Sequence, residues 1–129
     1  MFETKTISEC ADESAPDGSE VRLLLRRPGG SMAHFSLAAG KTSLAVVHRT
    51  VDELWYIVAG HGEMWRRCDG MESIVALQRG VCLSISPGVE FQFRAVGEES
   101  LEAVAVTMPP WPGDDEARRV LGCEQWNNV

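Results

Sequence analysis

The sequence predicts an all-β protein: a small antiparallel jelly-roll β-barrel with a short C-terminal helix. Three observations carry this expectation. Segments rich in Val, Ile, Leu, Trp, Tyr and Phe recur through the middle of the chain. Turn signals built on Gly, Pro and Asp separate them roughly every 8–12 residues, the cadence of a sandwich or barrel and not of alternating strand and helix. Only 114–121 has helical character. Roughly nine or ten strands at this spacing suit a jelly roll, which limits exposed sheet edges.

The elements follow in order. Residues 1–19 are polar, and Ser14–Ser19 reads as a loose stretch. Glu20–Arg27 alternates weakly and stops at Pro28-Gly29-Gly30. Met32–Ala38 is closed by Gly40, and Ser43–His48 is apolar and β-branched. Leu54–Ala59 is a run of strong strand formers ending at Gly60. His61 sits between two glycines in a turn and is expected to face solvent. Glu63–Arg67 and Ser73–Leu77 flank Asp69-Gly70, a hairpin signal. Val81–Ile85 lies between Arg79-Gly80 and Pro87-Gly88, Glu90–Arg94 alternates polar and aromatic residues, and Leu101–Thr107 follows a Gly97 turn. After the stiff Pro109–Gly113 segment, Asp114 or Asp115 is placed to cap a helix over Asp114–Leu121, and Gly122 to end it.

The 129 residues suffice for one domain spanning 1–129 with one hydrophobic core. A net charge of −7 repels polyanions, and the arginine pairs 26–27, 66–67 and 118–119 are scattered, so no nucleic-acid partner is expected. No apolar run reaches membrane-spanning length and the polar start shows no secretory signal, so no membrane partner is expected. The four cysteines, 10, 68, 82 and 123, lie far apart without a CxxC pair. Reduced thiols in a cytoplasm are the expectation.

A family resemblance enters at Gly40. From Gly40 through His48, Thr50 and Glu53 to Gly60 the chain resembles the first cupin motif: a glycine, a short strand, His-x-His, a Glu, six residues and a Gly. From Gly80 through Pro87, Gly88 and Phe91 to Arg94 it resembles the second, which carries Pro-x-Gly and then a His. The two motifs, about 40–60 and 80–94, stand in order. The resemblance implies a conical barrel with the active site inside, and a homodimer. Cupins usually hold a divalent metal with three histidines and one glutamate. Here His48 and Glu53 occupy two of the four positions, Thr50 and Phe91 occupy the others, and the His-to-Glu spacing is one residue short. A catalytic metal site takes about three protein ligands, so the expected cofactor is none. A divalent metal would require His48, Glu53 and an off-motif ligand, His34 or, less simply, Cys82.

By the same resemblance His48, Thr50 and Glu53 face inward among apolar neighbours. An imidazole and a carboxyl there can form a charged pair, or burial can neutralise the acid; either serves general acid–base chemistry. Thr50, Trp55, Phe91, Phe93 and Gln92 are the candidate substrate-pocket residues. Phe91, replacing a ligand position, favours a partly apolar substrate. Trp65 and Trp111 join the aromatic set, and Trp111 is placed to fold over the barrel mouth or against a partner subunit. Three readings stay open. One is a metal-independent isomerase, epimerase or lyase using His48 and Glu53 on a small molecule, akin at fold level to the RmlC-like sugar-nucleotide epimerases. The second is a non-catalytic small-molecule binding module, or a satisfied structural pair. The third is a metal-dependent cupin enzyme.

Overall fold

The computed structural model describes residues 2–127. The chain forms β1 (Glu13–Ser14), β2 (Glu20–Arg27), β3 (Gly30–Leu37), β4 (Val46–His48), β5 (Asp52–Ala59), β6 (His61–Cys68), β7 (Met71–Gln78), β8 (Cys82–Ile85), β9 (Glu90–Val96), β10 (Leu101–Met108), β11 (Ala117–Arg119) and a single helical turn, α1 (Glu124–Asn127). All pairings are antiparallel. A six-stranded sheet runs β1-β2-β3-β10-β5-β8, and a five-stranded sheet runs β11-β4-β9-β6-β7.

Strand alternation builds the core. In β5, Glu53, Trp55 and Ile57 point inward while Leu54 and Tyr56 face out. In β9, Phe91, Phe93 and Ala95 do the same, and in β10 Leu101, Ala103 and Ala105. The two inner faces meet in one cluster around Ile57, Met64, Leu77, Ile85 and Phe93. Asp69 and Gly70 both take positive φ, 52° and 78°, as a two-residue hairpin between β6 and β7 requires.

Two expectations are corrected. The helix over Asp114–Leu121 does not form. Asp114–Glu116 is one 3-10 turn, and Ala117–Arg119 is β11, paired with β4 through Ala117 opposite His48. Backbone pairing at the edge of a short strand outweighs the helical composition. The stretch before residue 20 is not loose throughout. Asp12 N–H donates to the Val21 carbonyl at 2.8 Å, β1 pairs with β2, and Asp17 and Ser19 are buried. Among the described residues no helix is long and apolar enough to cross a membrane.

Candidate functional site

The barrel encloses a cavity of about 590 Å³, within the range of small-molecule sites. Its wall is mainly apolar and aromatic, including Phe35, Val46, Trp55, Phe91, Ala105 and Trp111. Three buried titratable side chains interrupt it: Asp17, His48 and Glu53.

His48 ends β4. Its backbone carbonyl accepts from Gly88 N–H at 3.0 Å, so the Pro87-Gly88 turn of the second motif fixes the end of the first. Phe91 and Trp111 meet its ring edge-on, with centroids 5.0 and 5.1 Å away. Nδ1 is buried without a hydrogen-bond partner among the described residues. Burial lowers the imidazole pKa to about 4, against the attraction of the Glu116 charge, so His48 is neutral at physiological pH.

Glu53 projects from β5 beside Trp55, whose Nε1–H donates to Oε1 at 2.8 Å. Burial raises this carboxyl to about 7; the Trp55 bond opposes the rise and the nearby Asp17 reinforces it. Asp17 is also raised by burial, although Ser19 donates its amide and hydroxyl hydrogens to Oδ1 at 2.9 and 2.6 Å. No hydrogen bond or ion pair joins His48 to Glu53 among the described residues. They are two separately perturbed groups on one cavity, a neutral imidazole and a carboxyl that titrates near neutrality.

The other expected residues fall elsewhere. Thr50 is not on the inner wall. β4 stops at His48, alternation ends there, and the Thr50 hydroxyl donates to Glu116 Oε1 at 2.5 Å. Gln92 is buried on the opposite face of β9 from Phe91. Its Nε2 donates to the Ser43 carbonyl at 2.9 Å and its Oε1 accepts from the Cys123 amide at 2.9 Å, tying down the C-terminal segment. Phe93 lies deeper than the cavity, edge-on to Trp55 at 5.0 Å. Trp65 is fully buried core. His34 sits on the outer face of β3, between the inward Ala33 and Phe35, and its Nε2 contacts Glu102 Oε1 at 2.9 Å. It cannot join His48. Cys82 is exposed, and so is His61.

The resemblance implies a metal, and these side chains do not suit one. Thr50 is turned away, Phe91 offers no lone pair, and His34 lies outside the barrel. Among the described residues no group of three His, Cys, Asp or Glu converges, and a catalytic metal needs about three protein ligands.

Sequence reasoning missed Asp17 and Glu116. The Asp17-Gly18-Ser19 turn, with Gly18 at φ 92°, is the only local trace of the first. Glu116 falls in the first turn of the helix expected over Asp114–Leu121, yet it is buried. Its carboxylate accepts from the amides of Thr50 (2.6 Å) and Val51 (3.0 Å) besides the Thr50 hydroxyl. Burial pushes its pKa up, but these bonds prevail and hold it below the usual range. Glu116 therefore clamps the 49–51 bend that joins His48 to Glu53. Glu116→Ala should lose about 2 kcal/mol of unfolding free energy in urea titrations. Asp115→Ala, at an exposed neighbour, should stay within about 0.5 kcal/mol of the parent.

Trp111 lines the cavity beside His48. Its amide donates to Ser31 Oγ at 2.9 Å, and its carbonyl accepts from Arg26 Nη1 at 2.9 Å. Ser31 shares a further 2.7 Å hydrogen bond with Thr107. Pro109, Pro110 and Pro112 stiffen this strap over His48.

No protein-family model matches the sequence, and no curated protein matches it. Solved structures do. A Streptomyces protein, PAC13, determined as a variant with uridine, is similar over 98% of this chain and 98% of its own, with a TM-score of 0.73 at 16% identity. An uncharacterized conserved double-stranded β-helix protein from Klebsiella pneumoniae subsp. pneumoniae covers 83% of this chain and 91% of its own (TM-score 0.66, 19% identity). The Drosophila melanogaster CENP-C cupin domain covers 70% of each (TM-score 0.64, 10% identity).

Proposed function

We propose that this chain, whose fold is that of the double-stranded β-helix cupins, binds a small, partly apolar, ring-bearing molecule inside the barrel and performs metal-independent acid–base chemistry on it, of the isomerase or lyase kind. The observation that carries this reading is that one aromatic cavity holds both a buried, neutral His48 and, not bonded to it, a buried Glu53 whose carboxyl is raised to about 7. Two titratable groups pushed away from their ordinary values in one cleft are a candidate acid and base. Neutral imidazole accepts a proton, and a carboxyl that titrates near neutrality can donate one.

Uridine is the first probe, because a structure of this fold that spans the whole chain was determined with it. Trp55 and Trp111 line the cavity, so saturable quenching of tryptophan fluorescence reads binding. Ala105→Phe, which fills the cavity from β10, should abolish the quenching while the circular dichroism spectrum is kept. Equal affinity in that variant overturns the location. Catalysis is tested by proton NMR of bound ligand in deuterated water. Wild type should exchange a ligand C–H, and His48→Ala should bind within several-fold yet exchange at least a hundredfold more slowly. Binding without exchange by the wild type would overturn the catalytic half and leave a binding module.

A further inference from the structure

We propose that Asp17 and Glu53 act together as a two-carboxyl clamp for a protonated amine, so that the cavity takes a small ring-bearing ammonium and turns away carboxylates and phosphates. The proposal rests on the reading of the barrel interior as a ligand site, and it adds the chemical class of the ligand and a residue, Asp17, that no motif marks.

Asp17 enters from the turn before β2 and Glu53 from β5, and both are more than nine-tenths buried. Each uses one oxygen on the protein: Asp17 Oδ1 accepts from Ser19, and Glu53 Oε1 from Trp55. Among the described residues Asp17 Oδ2 and Glu53 Oε2 accept no hydrogen bond, and both side chains line the cavity. His48, on the same cavity and also more than nine-tenths buried, leaves Nδ1 without a partner. The barrel interior thus holds two carboxyl oxygens that the fold itself does not use, beside a buried His48 ring nitrogen without a partner, whose cost a ligand's hydrogen bond would relieve.

The distribution of charge sets the sign of that ligand. The cations lining the cavity, Lys5 and Arg26, are exposed at its mouth, where Glu13 and Asp114 offset them and Arg26 is tied to the Trp111 carbonyl. Among the described residues that line the cavity, no lysine or arginine is buried. An ammonium brings three N–H donors and one positive charge, matching the two free oxygens. The walls suit the rest of such a molecule. Phe35 and Trp55 lie parallel with centroids 5.5 Å apart, and Phe91 and Trp111 add ring surface, so an organic cation gains both apolar contact and attraction to ring faces. Burial raises both carboxyl groups; a bound ammonium favours their ionised, accepting form, whereas an anion opposes it.

The test is a charge series on one ring: benzylamine, benzyl alcohol and benzoate, titrated calorimetrically at neutral pH into wild type, Asp17→Asn and Glu53→Gln. The expected result is that benzylamine binds wild type at least tenfold more tightly than benzyl alcohol, with benzoate weakest. Asp17→Asn, which keeps an acceptor for Ser19, should erase most of that preference while leaving benzyl alcohol affinity within about threefold. If Asp17→Asn fails to fold, Glu53→Gln reads the same pair and should narrow the preference similarly. Equal binding of all three probes by wild type, or a preference untouched in both variants, overturns the clamp and leaves the cavity as a ligand site. Binding of none of them, and of uridine neither, overturns the ligand-site reading and the clamp with it.

Discussion

Glu53→Gln is expected to stabilise the protein by about 3 kcal/mol at pH 8 and to leave it unchanged at pH 4. The folded state holds the Glu53 proton up to about pH 7, whereas the unfolded chain releases it near the ordinary value of 4.5. Folding therefore binds a proton between those values, and stability falls as pH rises from 4.5 to 7. His48 has the opposite sign. Its folded pKa of about 4 lies below the ordinary 6.5, so stability falls as pH drops from 6.5 to 4. Each shift corresponds to about 3 kcal/mol, and over pH 4.5–6.5 the two slopes nearly cancel. Those two groups alone would leave wild type almost indifferent to pH in that window, but Asp17, raised by burial, adds to the Glu53 side, so wild type should lose stability as pH rises. Glu116, lowered, matters only at the acid end. Glutamine at 53 keeps the acceptor for Trp55 and removes one falling slope, so relative to wild type its stability should rise with pH from 4.5 to 7. His48→Gln removes the other, so its stability should fall from 4.5 to 7. Urea titrations of the three proteins at half-unit pH steps read this directly. A constant offset between Glu53→Gln and wild type at every pH would mean that the Glu53 carboxyl is not held neutral by the fold.

The parts of this site that the sequence makes legible are those encoded by local alternation. Leu54–Ala59 reads as a strand because its residues suit no other element, and once it is a strand Glu53, Trp55 and Ile57 share a face by geometry alone. The same holds for Phe91 on β9. The error at Thr50 comes from carrying that rule past its domain: β4 is three residues long, and two positions beyond His48 the chain has already bent. Gln92 fails differently. Alternation puts it on the face of β9 opposite Phe91 and Phe93, away from the cavity, and it is buried there by the distant 122–123 segment, which no local pattern announces.

Asp17 and Glu116 show what a single sequence hides. Both are polar residues in polar stretches, where composition argues for solvent. Each is buried because a remote element supplies what it needs. Glu116 answers the unpaired amides of the 49–51 bend, and Asp17 has Ser19 on one oxygen and the barrel interior on the other. Long-range pairing also explains the lost helix at 114–121. The segment has helical composition, but the open edge of β4 offers backbone partners that a short helix would not gain elsewhere. The motifs were legible in the same uneven way: their glycine and proline spacing marks the barrel, while Thr50 and Phe91 stand where the spacing leads one to expect metal ligands.

Gly60, the last residue of the first motif, shows why that spacing is kept when the ligands are not. It joins β5 to β6, taking the chain from one sheet to the other, and it does so at φ 79°. A Cβ built there would lie 2.2 Å from the Ser100 carbonyl oxygen and 2.9 Å from Leu101 Cα. Both atoms are backbone at the start of β10, so neither can swing aside as a side chain would. Gly60→Ala therefore combines a left-handed conformation that costs about 1–3 kcal/mol for a residue with a Cβ with a steric overlap that only a shift of β10 relieves. We expect a loss of about 4 kcal/mol, seen as a fall of roughly 15 °C in the thermal midpoint for a chain of this size. Gly80→Ala separates the two causes. Gly80 also has a positive φ, 97°, but nothing lies within 4 Å of its Cβ position, so it should lose only the conformational part, about 1 kcal/mol. Because β10 pairs with β5 from Glu102 to Met108, the shift forced by Gly60→Ala should also reach the cavity, loosening Trp55 and weakening uridine binding beyond what the lost stability explains, whereas Gly80→Ala should bind like wild type. Equal losses in the two variants would mean that the conformation of Gly60, and not the approach of β10, is what the motif glycine protects.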